Sequence, residues 1–336
     1  MKKFINDPND VLPEMMEGYL RAYGDIIERI EDYPSVVLKD LDPGKVGLIV
    51  GGGSGHEPIF IEYLGKGMAD GASQGNICAA PSPDNILAVT KAVDRGKGVV
   101  YIYGNYSGDC MNFDMAAELA DLEGIKTATV RVTDDVASAP KDRISDRRGI
   151  AGDFFVMRIA GAACYAGYDL EDVKRVADKA NANTRTMGVA LTPGTIPGEK
   201  PAFTLGEDEM EIGMGLHGEP GIRRDKIQPA DKIVDQMMKM ILEDLPFKKG
   251  DDVCLLVDGF GATTRMEMMI IIRRVSQLLD KEGITLHDVK FGNFATFQEM
   301  AGSSITLMRL DDELKKLYDS PMWSILFGQK GFSTHK

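Results

Sequence analysis

The sequence has few cysteines and no long apolar run. Its cysteines are far apart and form no C-x-x-C pair, which indicates reduced thiols in a cytoplasmic protein; they are Cys78, Cys110, Cys164 and Cys254. The longest purely aliphatic run, residues 268–272, is far shorter than the roughly 18 residues of a membrane-spanning helix. No apolar stretch follows the lysines of the opening residues MKKFINDPND, so we expect no signal peptide.

Positive charge is also scarce. The 336 residues carry 39 basic and 52 acidic side chains, a net charge of −13, which disfavours nucleic acid and anionic membranes as partners. The hydrophobic content of 43% is ordinary for a globular enzyme, and the length suits two domains of roughly 100–200 residues each. We interpret the 37 glycines, against only 15 prolines, as tight turns rather than as disorder.

Strands, glycine loops and helices alternate along the first half of the chain. Apolar residues recurring at three and four positions predict a helix over 10–30, and Ser82 marks the start of a second helix. Short apolar runs predict strands over 46–50, 99–103 and 127–132. This alternation predicts a parallel α/β sheet, with functional sites at the carboxyl ends of its strands.

The second half has a different texture. Two helices are predicted over 151–180, and the texture changes after residue 181. From there the patterns predict strands near 187–191, 209–215 and 253–257, and helices over 228–245 and 264–279. We therefore predict an α/β protein of two α/β domains, each with a central sheet flanked by helices. The predicted N-terminal domain is 1–184 and the predicted C-terminal domain is 185–336.

Two of the four histidines lie in glycine-rich loops of similar pattern. His56 lies in GGGSGHEP, residues 51–58, and His217 lies in GMGLHGEPG, residues 213–221. Glycine at this density allows the backbone to approach a small ligand and to point its N–H groups inward. Either loop alone is equally compatible with a tight turn capped by its histidine, but the two together favour a binding site. We interpret His287 and His335 as surface residues.

Several common motifs are absent. His56 stands where a dinucleotide fingerprint requires its last glycine, and Ser54 is not centred between glycines as a hydrolase nucleophile is. The chain contains no GxxxxGK[ST] and no HExxH. The sequence therefore predicts no nucleotide, cofactor or metal site on this chain.

Asp109 is the best carboxylate candidate, because it ends a glycine loop directly after a strand. Its spacing is equally compatible with the N-cap of the following helix, a position that aspartate favours. The pairs 134–135 and 147–148, two aspartates and two arginines, lie in polar connections, and we interpret them as solvated turn residues.

Five motifs, spread over nearly the whole chain, resemble the substrate-binding subunit of dihydroxyacetone kinase. They are GGGSGHEP (51–58), NYSGD (105–109), RRGIAG (147–152), GMGLHGEPG (213–221) and LDDEL (310–314). The resemblance is to the DhaK type, in its phosphotransferase-system-dependent form.

This resemblance implies a homodimer of two-domain α/β chains that binds dihydroxyacetone covalently. His217 would form a hemiaminal with the ketone carbon. Gly53, Ser54 and His56 would hold the substrate. Asp109 would contact the hydroxyl that is phosphorylated, and His56 could share its role as base. The chain would thus be one subunit of a transferase that phosphorylates an alcohol group.

The resemblance also places the nucleotide elsewhere. ADP or ATP, with Mg, is expected on a separate helical subunit of the DhaL type. In phosphoenolpyruvate-dependent systems a multiphosphoryl donor protein recharges that subunit. The sequence leaves open whether the phosphoryl donor is phosphoenolpyruvate, acting through such proteins, or ATP.

Two positions depart from the family pattern. Gly104 stands where the family has a lysine, and Ala80 stands where it has a serine, so the pocket loses one positive charge and one hydroxyl. Two alternatives therefore stay open. The chain could serve another short ketose, such as erythrulose, or it could be a ketone-sensing paralogue that co-activates a transcription regulator.

Overall fold

The chain folds into two compact units, each built on its own β-sheet. Residues 2–328 are described by a computed structural model. Unit 1 contains residues 2–131, 156–179 and 316–328, and unit 2 contains residues 132–155 and 180–315. No helix within residues 2–328 is both long enough and apolar enough to cross a membrane. The predicted α/β class, with two sheets flanked by helices, is confirmed.

Unit 1 is organised around a six-stranded sheet. Its strands are β1 (Ile27–Arg29), β2 (Val36–Leu38), β3 (Gly47–Ser54), β4 (Gly71–Ile77), β5 (Val99–Gly104) and β6 (Thr127–Val132). They lie in the order β1-β2-β4-β3-β5-β6. β3 is parallel to both β4 and β5, whereas β2 is antiparallel to β1 and β4. The predicted parallel arrangement therefore holds for β3 and its two neighbours, and the sheet adds an antiparallel edge.

Five of the helices that belong wholly or partly to unit 1 precede residue 184 in the chain. They are α1 (Val11–Tyr23), α2 (Pro83–Val93), α3 (Ser107–Leu122), α4 (Asp153–Tyr165) and α5 (Leu170–Ala182). α2 starts as predicted, because the Ser82 hydroxyl accepts a hydrogen bond from the Asn85 N–H at 3.4 Å. The apolar face of α2 packs against the sheet and against Phe113 of α3, which stacks on Tyr103 with ring centroids 4.2 Å apart.

The predicted helix over 10–30 is wrong in its second half. α1 ends at Tyr23, and Ile27–Arg29 forms the edge strand β1. Ile27 is fully buried and pairs with Leu38 of β2. Sheet pairing therefore overrides the helical spacing of the apolar residues, which continues past the end of the helix.

Unit 2 has a second six-stranded sheet. Its strands are β7 (Thr184–Ala190), β8 (Glu209–Ile212), β9 (Arg223–Lys226), β10 (Asp252–Gly259), β11 (Thr285–Gly292) and β12 (Gly302–Leu310). They lie in the order β11-β10-β12-β7-β8-β9, and only the pair of β10 and β11 is parallel. The remaining helices are α6 (Ala230–Asp244), α7 (Arg265–Glu282) and α8 (Asp312–Tyr318). α7 starts with a capping box formed by Thr264 and Glu267.

The division into units differs from the single boundary predicted near residue 185. The chain changes unit at 131/132, 155/156, 179/180 and 315/316. A single boundary near residue 185 would place 132–155 in the N-terminal domain and 316–328 in the C-terminal domain. In the structure 132–155 belongs to unit 2 and 316–328 belongs to unit 1. Their sequences show no linker composition, because these crossings lie in or directly beside β6, α4, α5 and α8 rather than in loops rich in glycine and proline.

Candidate functional site

The strand β3 carries the first glycine loop at its carboxyl end. All eight residues of β3 are buried, and the strand lies between its two parallel neighbours. At Gly55 the backbone has a φ of +97°, in the left-handed region that glycine adopts without strain. The predicted site residues Gly53, Ser54 and His56 therefore lie at the carboxyl end of a central strand, where ligand sites of α/β proteins form.

Gly53 and Ser54 fasten the loop after β4 against the end of β3. The Ser54 hydroxyl donates to the Gly75 carbonyl at 2.8 Å, and the Cys78 N–H donates to the Ser54 carbonyl at 2.9 Å. A Cβ added to Gly53 would lie 2.7 Å from the Ala79 nitrogen, so this approach of two backbones requires glycine. The Ser54 hydroxyl thus has a partner within the protein, and its contact with substrate stays a prediction.

His56 is held inside this loop, with only 4% of its surface exposed. The next side chain, Glu57, folds back on the turn, and its two carboxyl oxygens accept from the Gly55 N–H at 3.0 and 3.1 Å. Burial raises the pKa of Glu57, although the hydrogen bond from Gly55 opposes that shift. The glutamate of GHEP therefore fixes the backbone from which His56 projects.

Asp109 lies near the carboxyl end of β3 but does not cap α3, the helix that contains it. The N-cap of α3 is Tyr106, so Asp109 occupies the third helical position and the N-cap interpretation is wrong. Its Oδ1 would be 3.7 Å from a Cβ added to Gly52, which places the carboxylate beside the end of β3. The positive end of the helix dipole favours a negative charge in this first turn.

The two departures from the family pattern lie beside the start of α3. Gly104 is buried at the end of β5, and its carbonyl accepts from the Tyr106 N–H at 2.8 Å. The Ala80 Cβ would be 3.4 Å from a Cβ added to Gly108, in the first turn of α3. A larger side chain at position 80 would therefore approach Gly108, the residue before Asp109.

The second glycine loop closes the hairpin between β8 and β9 in unit 2. Gly213 and Gly218 have φ values of +81° and +78°, so the loop uses glycine where the chain turns left-handed. The Gly218 N–H donates to the Gly215 carbonyl at 3.1 Å, and the Gly221 N–H donates to the Glu211 carboxylate at 3.0 Å. These bonds fix the loop without help from the imidazole, so His217 is not needed as a turn cap.

His217 and Glu219 form a close pair within this loop. Glu219 Oε1 lies 3.1 Å from His217 Nδ1, and Glu219 Oε2 accepts from the His217 N–H at 2.9 Å. Burial would raise the pKa of Glu219, but its hydrogen bonds and charge interaction with His217 lower it to about 2. Because a carboxylate can only accept, the proton of a neutral His217 lies on Nδ1 and the lone pair on Nε2.

The sequence interpretation missed four charged residues that the fold buries wholly or largely, one of which, Arg148, lies beside Glu219. Asp134 and Asp135 are buried, and so is Arg147, whose guanidinium contacts both carboxylate oxygens of Asp244 at 2.9 and 2.6 Å. The Arg148 side chain is only 15% exposed and contacts Asp135. The interpretation of these four residues as solvated turn residues is therefore wrong. The signal that could have found the two arginines is the RRGIAG motif itself.

The remaining histidines and the cysteines lie outside these loops or at their edges. His287 is half-buried within β11, so its assignment as a surface residue is only partly correct, and His335 lies outside the described residues. All four cysteines are free, and Cys164 and Cys254 are buried while Cys78 and Cys110 are half-buried. The absence of disulfides among them agrees with the prediction from their spacing.

Comparison with known proteins establishes the family. Residues 17–325 match the Dak1 domain. The chain belongs to the Dak1 domain family. This Dak1 chain is 48% identical over 324 residues to the PTS-dependent dihydroxyacetone kinase 2, dihydroxyacetone-binding subunit DhaK, of Listeria innocua, and the match covers 96% of this chain and 97% of that protein. The resemblance found in the five sequence motifs is confirmed.

Two further Dak1 relatives bear names of different functions. The L-erythrulose kinase of Pectobacterium atrosepticum is 39% identical, over 96% of this chain and 55% of that protein. The solved structure of the dihydroxyacetone kinase operon co-activator Dha-DhaQ superposes with a TM-score of 0.89 and 30% identity, covering 96% of this chain and 99% of that one. Family membership and fold therefore leave the ketose and the biological role to be argued from the site.

Proposed function

We propose that this Dak1 chain is the dihydroxyacetone-binding subunit of a dihydroxyacetone kinase, and that it holds the ketone covalently on His217. The observation that carries the proposal is the contact between His217 Nδ1 and Glu219 at 3.1 Å, which leaves the lone pair of a neutral imidazole on Nε2. The name of the Listeria relative supports the choice of dihydroxyacetone. The proposed substrate therefore has what a nucleophilic imidazole requires, an electrophilic carbonyl carbon.

The capture step balances with the groups that are present. The Nε2 lone pair attacks the ketone carbon, a C–N bond forms, and the π electrons of the carbonyl move to its oxygen. The ring then bears a positive charge that the Glu219 carboxylate stabilises from the Nδ1 side. The Nδ1 proton then passes to the Glu219 carboxylate at 3.1 Å and the former carbonyl oxygen takes up a proton from solvent, which leaves a neutral hemiaminal whose Nδ1 accepts from the Glu219 carboxyl. Glycerol lacks a carbonyl and is excluded by the same chemistry.

The other proposed roles belong to the loops of unit 1. Gly53, Ser54 and His56 hold the substrate, and the lack of a side chain on Gly53 lets the backbone of Cys78 and Ala79 pack against the loop that carries His56. Asp109 accepts the proton of the hydroxyl as that oxygen attacks phosphorus, with His56 able to share this role. Transfer itself depends mainly on positioning and on charge stabilisation.

The remaining components of the reaction are proposed for other proteins. A helical DhaL-type subunit supplies ADP or ATP with Mg, and a multiphosphoryl donor protein recharges it, as the PTS-dependent name of the Listeria relative suggests. We further propose that the chain is a homodimer and acts in the cytoplasm. The net charge of −13 agrees with a partner that is neither nucleic acid nor membrane.

A second candidate function is a kinase subunit for a four-carbon ketose. The observation that favours it is the small size of Gly104 and Ala80, which lie beside the start of α3. A longer ketose could fill that space and replace the missing lysine and serine contacts with its own hydroxyl. Water could also occupy this space and leave the preference for three carbons unchanged. The erythrulose kinase among the relatives makes this candidate specific.

Competition calorimetry with dihydroxyacetone and erythrulose on the isolated chain tests both candidates. The main proposal expects binding heat with dihydroxyacetone. The four-carbon candidate expects erythrulose to bind at least as tightly, and a clear preference for dihydroxyacetone rejects it. Heat with neither ketose would contradict both.

A double variant provides the control for this measurement. Gly104→Lys together with Ala80→Ser restores the side chains that the family pattern has at these positions. On the four-carbon candidate it shifts the preference toward dihydroxyacetone, because the extra volume is lost. If water fills the space, the ratio of the two affinities changes little.

A co-activator role is separated by a different measurement, phosphoryl transfer with a helical kinase subunit, which a pure sensor does not support.

A further inference from the structure

We infer that Arg148 is a positioning residue for His217: anchored by Asp135, it fixes the Glu219 carboxylate and thereby selects the tautomer of the imidazole. The inference deepens the proposed function and rests on it, because the selected tautomer matters for capture of a ketone. Arg148, Asp135, Glu219 and His217 all lie in unit 2. Arg148, Asp135 and Glu219 are not among the catalytic or substrate-binding residues predicted from the sequence.

The Arg148 side chain is held along one edge of its guanidinium. Its Nε and Nη2 donate to Asp135 Oδ2 at 3.0 and 2.8 Å, and Nη2 also donates to the Gly213 carbonyl at 3.2 Å. The Arg148 N–H donates to the Ser138 hydroxyl at 3.0 Å, which fixes the backbone as well. The planar guanidinium therefore has a defined orientation at the start of the second glycine loop.

Asp135 is itself a rigid anchor. It is 1% exposed, and its Oδ1 accepts from the Ala137 N–H at 3.0 Å. Burial raises the pKa of Asp135 to about 6, although Arg148 and the Ala137 N–H oppose that shift. Its hydrogen-bond contacts are with donors, the guanidinium and the Ala137 N–H, as suits an ionised carboxylate, which only accepts.

The opposite edge of the guanidinium faces Glu219. Arg148 Nη1 lies 3.8 Å from Glu219 Oε2, close enough for an ion pair but too far for a hydrogen bond. Gly215 lies between them, and a Cβ there would overlap both the Glu219 carboxylate and the Arg148 guanidinium. Gly215, the second glycine of this loop, therefore leaves the space in which the two charges approach each other.

This arrangement explains why Glu219 keeps its hydrogen bonds for His217. A guanidinium free to turn would form a two-pronged pair with Glu219, the geometry that arginine and carboxylate prefer. Asp135 occupies the edge formed by Nε and Nη2, and the Gly213 carbonyl takes the second Nη2 hydrogen, so neither two-pronged geometry is left for Glu219. Arg148 therefore holds the Glu219 carboxylate in place by charge, while Oε1 remains on His217 Nδ1 and Oε2 on the His217 N–H. The lone pair of a neutral His217 then lies on Nε2, the nitrogen proposed to attack the ketone.

The tautomer of His217 can be read directly from ¹⁵N chemical shifts of imidazole nitrogens, without any ketose. The full chain is labelled with ¹⁵N-histidine and measured at about pH 8, where an ordinary imidazole is neutral. Only four histidines are present, so the loss of one signal set in His217→Ala assigns His217. We expect the Nδ1–H form to predominate in the wild-type protein. In Arg148→Met the Nε2–H form should rise several-fold in population, because Glu219 loses the charge that orients it.

Arg224→Met is the matched control, since Arg224 also pairs with a carboxylate of this hairpin, Glu211, at 2.7 Å. It should keep the wild-type tautomer. Arg148→Lys is the second variant, for use where Arg148→Met does not fold: it keeps a cation for Asp135 but cannot also face Glu219, so the Nε2–H form should again rise. A wild-type tautomer ratio in a folded Arg148→Met or Arg148→Lys protein overturns the inference, and so does a wild-type protein in which Nε2–H already predominates.

The test separates this inference from the proposed function. The tautomer is measured on protein without ketose, whereas the proposed function fails if the wild-type chain does not bind dihydroxyacetone at all. A merely structural role for Arg148 would lower stability without changing the tautomer of the folded protein. If the inference holds, Arg148→Met should also weaken dihydroxyacetone binding while Arg224→Met does not.

Discussion

His217→Ala is expected to weaken retention of dihydroxyacetone by about 10²-fold or more, the ratio that corresponds to a loss of about 3 kcal/mol of binding free energy. The variant removes the only nitrogen that the account makes nucleophilic. It leaves the loop intact, because the turn is fixed by the bonds of Gly215, Gly218 and Gly221 rather than by the imidazole. Calorimetry with dihydroxyacetone measures the change.

His287→Ala is the matched control for this prediction. It removes an imidazole from the same unit, in β11, and should leave dihydroxyacetone binding unchanged. Circular dichroism on both variants checks that the fold is retained. Binding that stays within a few-fold of wild type in His217→Ala would mean that the ketone is held by non-covalent contacts alone.

Asp109→Asn should lower phosphorylation of bound dihydroxyacetone by about 10²-fold or more, the lower end for loss of a general base. Asparagine keeps the shape of the side chain and removes its ability to take a proton. Asp109 lies in the first turn of α3 without serving as its N-cap, so the helix should form as before. The rate is measured with a helical nucleotide-binding subunit, and ketone binding by calorimetry should survive.

Asp114→Asn provides the comparison on the same helix. Asp114 is exposed, and its carboxylate pairs with Arg131 at 2.6 Å, away from the glycine loops. The rate should not change in this variant, since surface ion pairs contribute little. If the rate in Asp109→Asn stays within a few-fold of wild type, Asp109 is not the general base, and His56 or water takes the proton instead.

Much of unit 1 could be predicted because local sequence and tertiary structure agree there. The run that forms β3 is apolar and ends in glycines, and Ser82 with Pro83 starts α2 as its cap chemistry requires. By contrast β4, with the sequence GASQGNI, shows no strand pattern, and it exists because its backbone pairs with β2 and β3. Long-range pairing of this kind is not written in a local window of sequence.

The candidate site divides along the same line. His56, Asp109 and His217 could be identified from the sequence, because glycine loops after strands mark the edge of a sheet. The supporting charges could not. Asp135 and Arg148 look like polar turn residues until the fold buries them against each other, and a residue's burial depends on contacts far along the chain. The sequence shows a Glu-Pro after each histidine, but the hydrogen bonds that the two glutamates form can be known only from the folded structure.

The most direct test of covalent capture on His217 is a crystal structure of the protein soaked in dihydroxyacetone. The account predicts continuous electron density from the His217 imidazole to the ketone carbon. It also predicts that the bond is made by Nε2 while Nδ1 remains on Glu219, where it lies at 3.1 Å before capture. Clear density for the ligand with no bond to His217 would contradict the account.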